Sequence, residues 1–204
     1  MCGQKGDFLS KEFGKYVRGG APATEKFDMN REPIKQKRYM QPFYWGFSFF
    51  RRAIHLGKVN KIRMEGVKPP YILLCNHNAF FDFYVLGTAI APYRGIFPAA
   101  VDDYIGRERI LRKLGTVPKR KYTADIGLLR QCRKALKDGQ IFGIYAEARY
   151  SLCGVTEVIP EAVGQLLKHQ KVPVVTLTCR GNHIYDPFWG THRKRMIMHM
   201  SSDM

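Results

Sequence analysis

Short apolar runs, each followed by a segment with a helical pattern, constrain the fold of this chain more than any other feature. Tyr71–Cys75 and Ile141–Tyr145 are typical of buried strands. We expect further strands at residues 61–65, 95–101, 172–178 and 195–200, and helices at 79–90, 103–114, 123–138 and 160–169. Strands that alternate with helices of these lengths predict an α/β fold, with a mixed, largely parallel sheet and flanking helices.

The charge of the chain predicts anionic partners. Its 204 residues fit one domain with a substantial core, and they carry a net charge of +17. The positive charge is uneven, since the segment from Arg107 to Lys137 holds eleven Lys or Arg and only two acids. A positive field of this size favours nucleic acid, acidic lipid surfaces, or acidic and phosphorylated substrates.

The cysteines and the hydropathy indicate the compartment. Five scattered cysteines without a C-x-x-C spacing argue against a disulfide framework or a structural zinc site, and favour a reducing compartment. We find neither a signal peptide nor an apolar run of about 18 residues that would span a bilayer. We therefore expect a cytoplasmic protein that, if it meets a membrane, lies on its inner face.

Composition divides the chain into three segments. Residues 1–38 are polar, basic and glycine-rich, and we expect a flexible leader. Residues 39–60 contain an aromatic-rich stretch that ends in Arg51 and Arg52. This stretch suits a membrane interface, and a helix packed on the core with its arginines in water is an equal alternative. Residues 61–204 form the main domain, and a truncated C-terminus remains an open alternative.

His77 and Asp82 are the candidate catalytic pair. They stand in the pattern Asn76-His77-x4-Asp82, directly after the strand at 71–75. The carboxyl ends of strands in an open α/β sheet are where sites usually form. A histidine oriented by a carboxylate is a minimal general base. Five residues of separation do not stack two side chains on one helix face, so the loop must turn to bring them together.

Three later segments follow in an order that resembles the glycerolipid acyltransferase family, which includes lysophosphatidic acid acyltransferase. They are Gly115–Lys121, Tyr145–Ser151 and Val172–Val175, and the resemblance covers about residues 60–182. Asn76-His77-x4-Asp82 matches the first block of that family in full. The second block departs, with Lys121 where the family has arginine. In the third block Glu147 and Ser151 align, whereas Ala146 and Ala148 replace proline and glycine, and Arg149 comes one residue early.

The resemblance implies the chemistry and the roles of the residues. It implies transfer of a fatty acyl group from acyl-coenzyme A or acyl carrier protein to a lysophospholipid hydroxyl, converting lysophosphatidic acid to phosphatidic acid. His77 would be the general base, oriented by Asp82, with no metal and no cofactor beyond the thioester. The substrate-binding candidates are the cations Lys119, Arg120, Lys121 and Arg149 for the phosphate, Glu147 for a glycerol hydroxyl or Arg149, and Pro173 of the fourth block. An acidic membrane surface is the expected partner, and nucleic acid is not.

Two other functions are compatible with the residues. The altered second and third blocks are compatible with a catalytically silent relative that binds lipid. The positive charge and the aromatic residues from 39 to 45 are compatible with nucleic-acid binding, although we recognise no nucleic-acid module. A second pair, His183 and Asp186, reads as part of a turn.

Overall fold

The described residues of this computed structural model form one sheet with helices on both faces. They are residues 28–29, 31–55, 58–77, 82–120, 126–147, 158–181 and 197–203. The strands are β1 (Lys58–Ile62), β2 (Tyr71–Cys75), β3 (Gly95–Ala100), β4 (Thr116–Lys119), β5 (Ile141–Tyr145), β6 (Val174–Arg180) and β7 (Ile197–Asp203). The helices are α1 (Gln41–His55), α2 (Asp82–Ala89), α3 (Val101–Tyr104), α4 (Glu108–Lys113), α5 (Ile126–Lys137) and α6 (Glu161–Gln170).

The seven described strands lie in the order β1-β7-β6-β2-β5-β3-β4. The five strands from β6 to β4 in this order are parallel to one another. Strand β7 pairs antiparallel with β6 and parallel with β1. Strands β1 and β7 therefore run in the direction opposite to the other five. The prediction of a mixed, largely parallel sheet with flanking helices is confirmed.

The core has two halves because successive side chains of a strand point to opposite faces of the sheet. Tyr71, Leu73 and Cys75 of β2 pack with Leu86 and Ala89 of α2, on what we call the α2 face. The other half of the core lies on what we call the α5 face. It joins buried residues of four strands to three of α5, namely Ile72, Ile96, Val117, Phe142, Ile144, Cys132, Ala135 and Leu136.

Two of the predicted strands, β2 and β5, have the bounds that their apolar runs indicate. The first strand was predicted at 61–65 and instead covers Lys58–Ile62, since Arg63 takes a left-handed φ of 53° that ends it. The predicted strands at 172–178 and 195–200 are β6 and β7, shifted by about two residues toward the C-terminus.

Strand β4 and the break between α3 and α4 were not predicted. β4 contains Pro118, which has no N–H for a strand ladder and is tolerated here because β4 is the last strand of the sheet. The single helix predicted at 103–114 is two short helices, interrupted where Gly106 has a φ of 71°. Asp102, which directly precedes the predicted helix, lies inside α3.

Helix α1 packs on α2 through the buried Tyr44 and exposes most of the other residues whose side chains are described. Tyr44 is 2% exposed and its ring meets Phe83 edge-on at 5.3 Å. The exposed residues of α1 whose side chains are described are all apolar, namely Pro42, Phe43, Trp45, Gly46, Phe49, Phe50 and Ala53. At about 100° per residue these positions fall on one side of the helix. Within the described ranges, no helix has the length and apolar character needed to cross a bilayer.

The segment before α1 contacts the domain. The Asp28 carbonyl accepts from Arg112 Nη2 at 2.6 Å, and the Met29 carbonyl accepts from Gln131 Nε2 at 2.9 Å. The Lys37 N–H donates to the Lys113 carbonyl at 3.0 Å. These contacts involve the end of the predicted leader, whose first 27 residues lie outside the described ones.

Candidate active site

Strand β2 delivers His77 to the carboxyl edge of the parallel strands. Alternate residues of β2 up to Cys75 pack on the α2 face, and His77 continues this alternation two residues later. Asp82 is the first residue of α2, which covers the same face. The two side chains therefore approach each other from the end of a strand and the start of the helix that follows it.

The predicted pair is in contact. His77 Nδ1 lies 3.0 Å from Asp82 Oδ2, and the Asp82 side chain is fully buried while His77 is 20% exposed. A carboxylate at this distance accepts a hydrogen bond from a protonated Nδ1, which leaves Nε2 unprotonated and able to accept a proton. His77 and Asp82 are thus brought together as expected, and part of the His77 side chain remains exposed.

Tyr145, the last residue of β5, covers one face of the imidazole. Its ring stacks on that of His77 with centroids 4.0 Å apart and planes at 17°. This contact follows from the pairing of Tyr145 with Cys75 in adjacent parallel strands. We did not predict a role for Tyr145, although it ends an apolar strand next to the strand that ends before His77.

Two hydrogen-bonding side chains hold the backbone around His77. The His77 N–H donates to Glu147 Oε1 at 3.4 Å, and Glu147 is 4% exposed. Asn76 Nδ2 donates to the Cys179 carbonyl at 2.9 Å, and the Cys179 N–H donates to Asn76 Oδ1 at 2.8 Å. The Asn76 amide therefore imitates a strand backbone and joins the end of β2 to β6. The sequence contained Asn76 in the motif but gave no indication of this partner, 103 residues away.

Burial raises the pKa of three ionisable groups near His77 and Asp82. It raises the pKa of the Tyr145 hydroxyl well above its ordinary range, and the nearby charge of Asp82 raises it further. Burial and then Asp82 raise the pKa of the Cys179 thiol in the same way, and burial raises that of Cys75. These three groups are neutral at physiological pH, so they add no charge to that of Asp82 beside His77.

The remaining substrate-binding candidates occupy different positions. Glu147 joins His77 and Asp82 at the site. Lys119 ends β4 and Arg120 follows it, at the same carboxyl edge but three strand intervals from β2, which corresponds to about 14 Å. Lys119 lies two residues after Val117, which packs on the α5 face, so the alternation places it on the side opposite to His77.

Pro173 lies at the opposite end of the parallel strands, where they begin. Its carbonyl accepts from the Ile72 N–H at 3.0 Å, beside the start of β2, whereas His77 follows the end of that strand. The structure therefore does not bring Pro173 to the His77 site. Lys121, Arg149 and the pair His183 and Asp186 lie outside the described residues. In the ranges that the structure describes, no three His, Cys, Asp or Glu residues are grouped so that they could hold a metal ion.

Comparison with known proteins identifies the family of this chain and supports its fold. The sequence model of the acyltransferase family matches residues 35–180, well over half of the chain. Among solved structures, the fold resembles that of the 1-acyl-sn-glycerophosphate acyltransferase from Thermotoga maritima, with 18% identity and a TM-score of 0.61 over 80% of this chain and 68% of that one. No curated protein sequence matches significantly. The family match therefore confirms the resemblance read from the motifs, and the chain belongs to the acyltransferase family.

Proposed function

We propose that this enzyme transfers a fatty acyl group from a thioester to the free hydroxyl of a lysophospholipid, with lysophosphatidic acid as acceptor and acyl-coenzyme A or acyl carrier protein as donor. The observation that carries the proposal is the contact between His77 Nδ1 and Asp82 Oδ2 at 3.0 Å, at the carboxyl edge of the sheet. The pair is the general base that acyl transfer to a hydroxyl requires. His77 is partly exposed, so an acceptor hydroxyl can reach it.

The reaction needs one proton to move twice. His77 Nε2 takes the proton of the acceptor hydroxyl as its oxygen attacks the thioester carbon, forming the new C–O bond. The buried Asp82 carboxylate stabilises the imidazolium that results. When the tetrahedral intermediate collapses, the C–S bond breaks and the imidazolium protonates the departing thiolate. Proton transfer of this kind contributes about 10²–10⁴ to the rate of an enzyme.

The cations after β4 support a phosphate-bearing acceptor. Arg120 is exposed and follows Lys119 at the same carboxyl edge as His77. The strand alternation that carries Lys119 to the α5 face brings the next residue toward the α2 face, where His77 lies. Arg120 is accordingly our first candidate for the phosphate of lysophosphatidic acid, with Lys119, Lys121 and Arg149 as further candidates.

Helix α1 supports binding to the surface of a membrane. Phe43, Phe49 and Phe50 are 72%, 76% and 61% exposed, and the other exposed residues of this helix are apolar in the described part. Water-exposed aromatic rings beside a net charge of +17 suit an anionic bilayer surface, with the rings at headgroup depth. We propose that the enzyme works as a peripheral protein on the cytoplasmic face of the membrane, where its lysolipid acceptor resides.

The test is an acyl-transfer assay with two histidine variants. Purified protein is incubated with lysophosphatidic acid or other lysolipids, and with acyl-coenzyme A or acyl carrier protein as donor. His77→Ala removes the proposed base, whereas His169→Ala removes an exposed histidine in the last turn of α6. We expect transfer to disappear in the first variant and to remain in the second.

The possible outcomes separate the functions that the sequence left open. Full transfer by His77→Ala would contradict the proposed mechanism. No transfer from any donor by folded protein that still binds lysolipid vesicles would favour a silent lipid-binding relative. Tight, strongly salt-dependent binding of RNA without lipid binding would favour a nucleic-acid-binding protein.

A further inference from the structure

We propose that Tyr145 is a positioning residue for His77, and that the face of its ring sets the direction in which the imidazole presents Nε2. The proposal rests on the proposed function, in which Nε2 takes the proton of the acceptor. The observation that carries it is the nearly parallel stack of the two rings, at 4.0 Å and 17°.

The hydrogen bond to Asp82 does not orient the imidazole by itself. The contact from Nδ1 to Asp82 Oδ2 holds one ring atom, and the torsions of the His77 side chain still allow a limited rotation of the ring plane about that atom. Such a rotation would carry Nε2 along an arc and away from the acceptor hydroxyl. A flat surface against one face of the ring removes this freedom, because the two planes must stay nearly parallel to remain in contact.

Tyr145 is suited to this task because its backbone is held next to that of His77. Tyr145 pairs with Cys75 in the ladder between β5 and β2. The next peptide N–H, that of Ala146, donates to the Cys75 carbonyl at 2.8 Å. The stacking ring therefore belongs to a central strand of the sheet, and its distance from His77 is set by the spacing of two hydrogen-bonded strands.

The ring and the hydroxyl of Tyr145 have separable roles. The stack involves the ring face, and burial keeps the hydroxyl neutral by raising its pKa. Tyr145→Phe retains the face that touches the imidazole, and Tyr145→Leu replaces it with a side chain that is not flat. The matched control is Phe142→Leu, which removes a fully buried ring from the same strand on the α5 face, away from His77.

The test compares kcat and KM of these three variants for transfer to lysophosphatidic acid. Misplacement of a catalytic group by about 1 Å can lower a rate about 10²-fold. We expect Tyr145→Leu to lower kcat by roughly 10–100-fold with KM unchanged, because the ring acts through His77 and not on the substrate. Tyr145→Phe should have the same kcat as the unmodified enzyme. Phe142→Leu should lose thermal stability but keep kcat.

A second measurement needs no activity. In proton NMR spectra of the free protein, the Cε1 proton of His77 should shift downfield in Tyr145→Leu and stay in place in Tyr145→Phe, because only the first variant removes the ring current above it. A His77→Gln spectrum assigns the signal. If this signal does not move in Tyr145→Leu, or if folded Tyr145→Leu has the same kcat as Phe142→Leu, the proposal is wrong. Absence of transfer in every protein, with the NMR shift present, would overturn the proposed function and leave the stack intact.

Discussion

The ring of Tyr44 lies directly against the backbone of Gly87. A Cβ atom on Gly87 would overlap that ring, and the Tyr44 hydroxyl donates to the Phe83 carbonyl at 3.0 Å. Tyr44 is buried and belongs to the aromatic helix α1, and Phe83 and Gly87 belong to α2, which begins at Asp82. The Tyr44 side chain therefore packs the proposed membrane-binding helix against the helix that carries the proposed catalytic carboxylate.

Replacement of Gly87 by alanine should destabilise the protein. The added methyl has no room beneath Tyr44, and overpacking of this kind costs about 1–3 kcal/mol. The matched control is Gly164→Ala in α6, where nothing lies within 4 Å of the new Cβ, and alanine should stabilise the helix by about 0.5–1 kcal/mol. Urea unfolding measures both changes. Equal effects of the two substitutions would contradict the contact between α1 and α2.

Asn76→Ala should destabilise the junction between β2 and β6. It removes both hydrogen bonds to Cys179 and leaves a partly buried N–H and carbonyl without them, at a cost of about 1–3 kcal/mol. Asn76→Asp is nearly the same size, but its ionised carboxylate cannot donate to the Cys179 carbonyl. Urea unfolding should therefore show that this variant regains stability as the pH falls and the carboxyl protonates. A pH-independent difference from the unmodified protein would count against the paired hydrogen bonds.

The stability of the protein should fall as the pH rises above 9. Burial raises the pKa of the Cys132 thiol from its ordinary value of 9.0 to about 12. Between these values the folded state keeps a proton that the unfolded state releases, so the free energy of unfolding decreases with pH. Cys132→Ala removes this thiol, and its slope should be shallower by up to about 1.4 kcal/mol per pH unit. Urea titrations at several pH values measure the slope. If the free energy of unfolding has the same pH slope in Cys132→Ala as in the unmodified protein, folding does not raise the pKa of Cys132.

Loss of the exposed aromatic rings of α1 should weaken membrane binding. Burial of one such side chain is worth about 1.5–3 kcal/mol, so the double variant Phe49→Ser, Phe50→Ser should bind anionic phospholipid vesicles at least about tenfold more weakly. Ile110→Ser is the control, because Ile110 is an exposed apolar residue on α4. Vesicle sedimentation measures the binding. Equal binding by the double variant and the control would mean that α1 does not enter the interface.

Local patterns were sufficient where a segment forms its structure with its own neighbours in sequence. The apolar runs of β2 and β5 predicted the bounds of both strands, because each strand is buried along most of its length. They failed at β4, a strand of only four residues at the edge of the sheet that includes Pro118. They failed again at Gly106, since nothing in the helical pattern of residues 103–114 required a break there.

The sequence by itself determined the alternation of strands and helices, the candidate base His77 with its carboxylate Asp82, and the edge of the sheet at which they lie. These follow from periodicity and from the short motif Asn76–Asp82, which begins at the end of a strand. Only the tertiary structure decided which distant residues complete the site and which do not. Tyr145 and Glu147 reach His77 because β5 is the neighbour of β2, Asn76 meets Cys179 because β6 is the other neighbour, and Pro173 lies far from His77 because it precedes β6. Strand order and register depend on how whole faces of the sheet are buried, so a motif in one segment does not contain them.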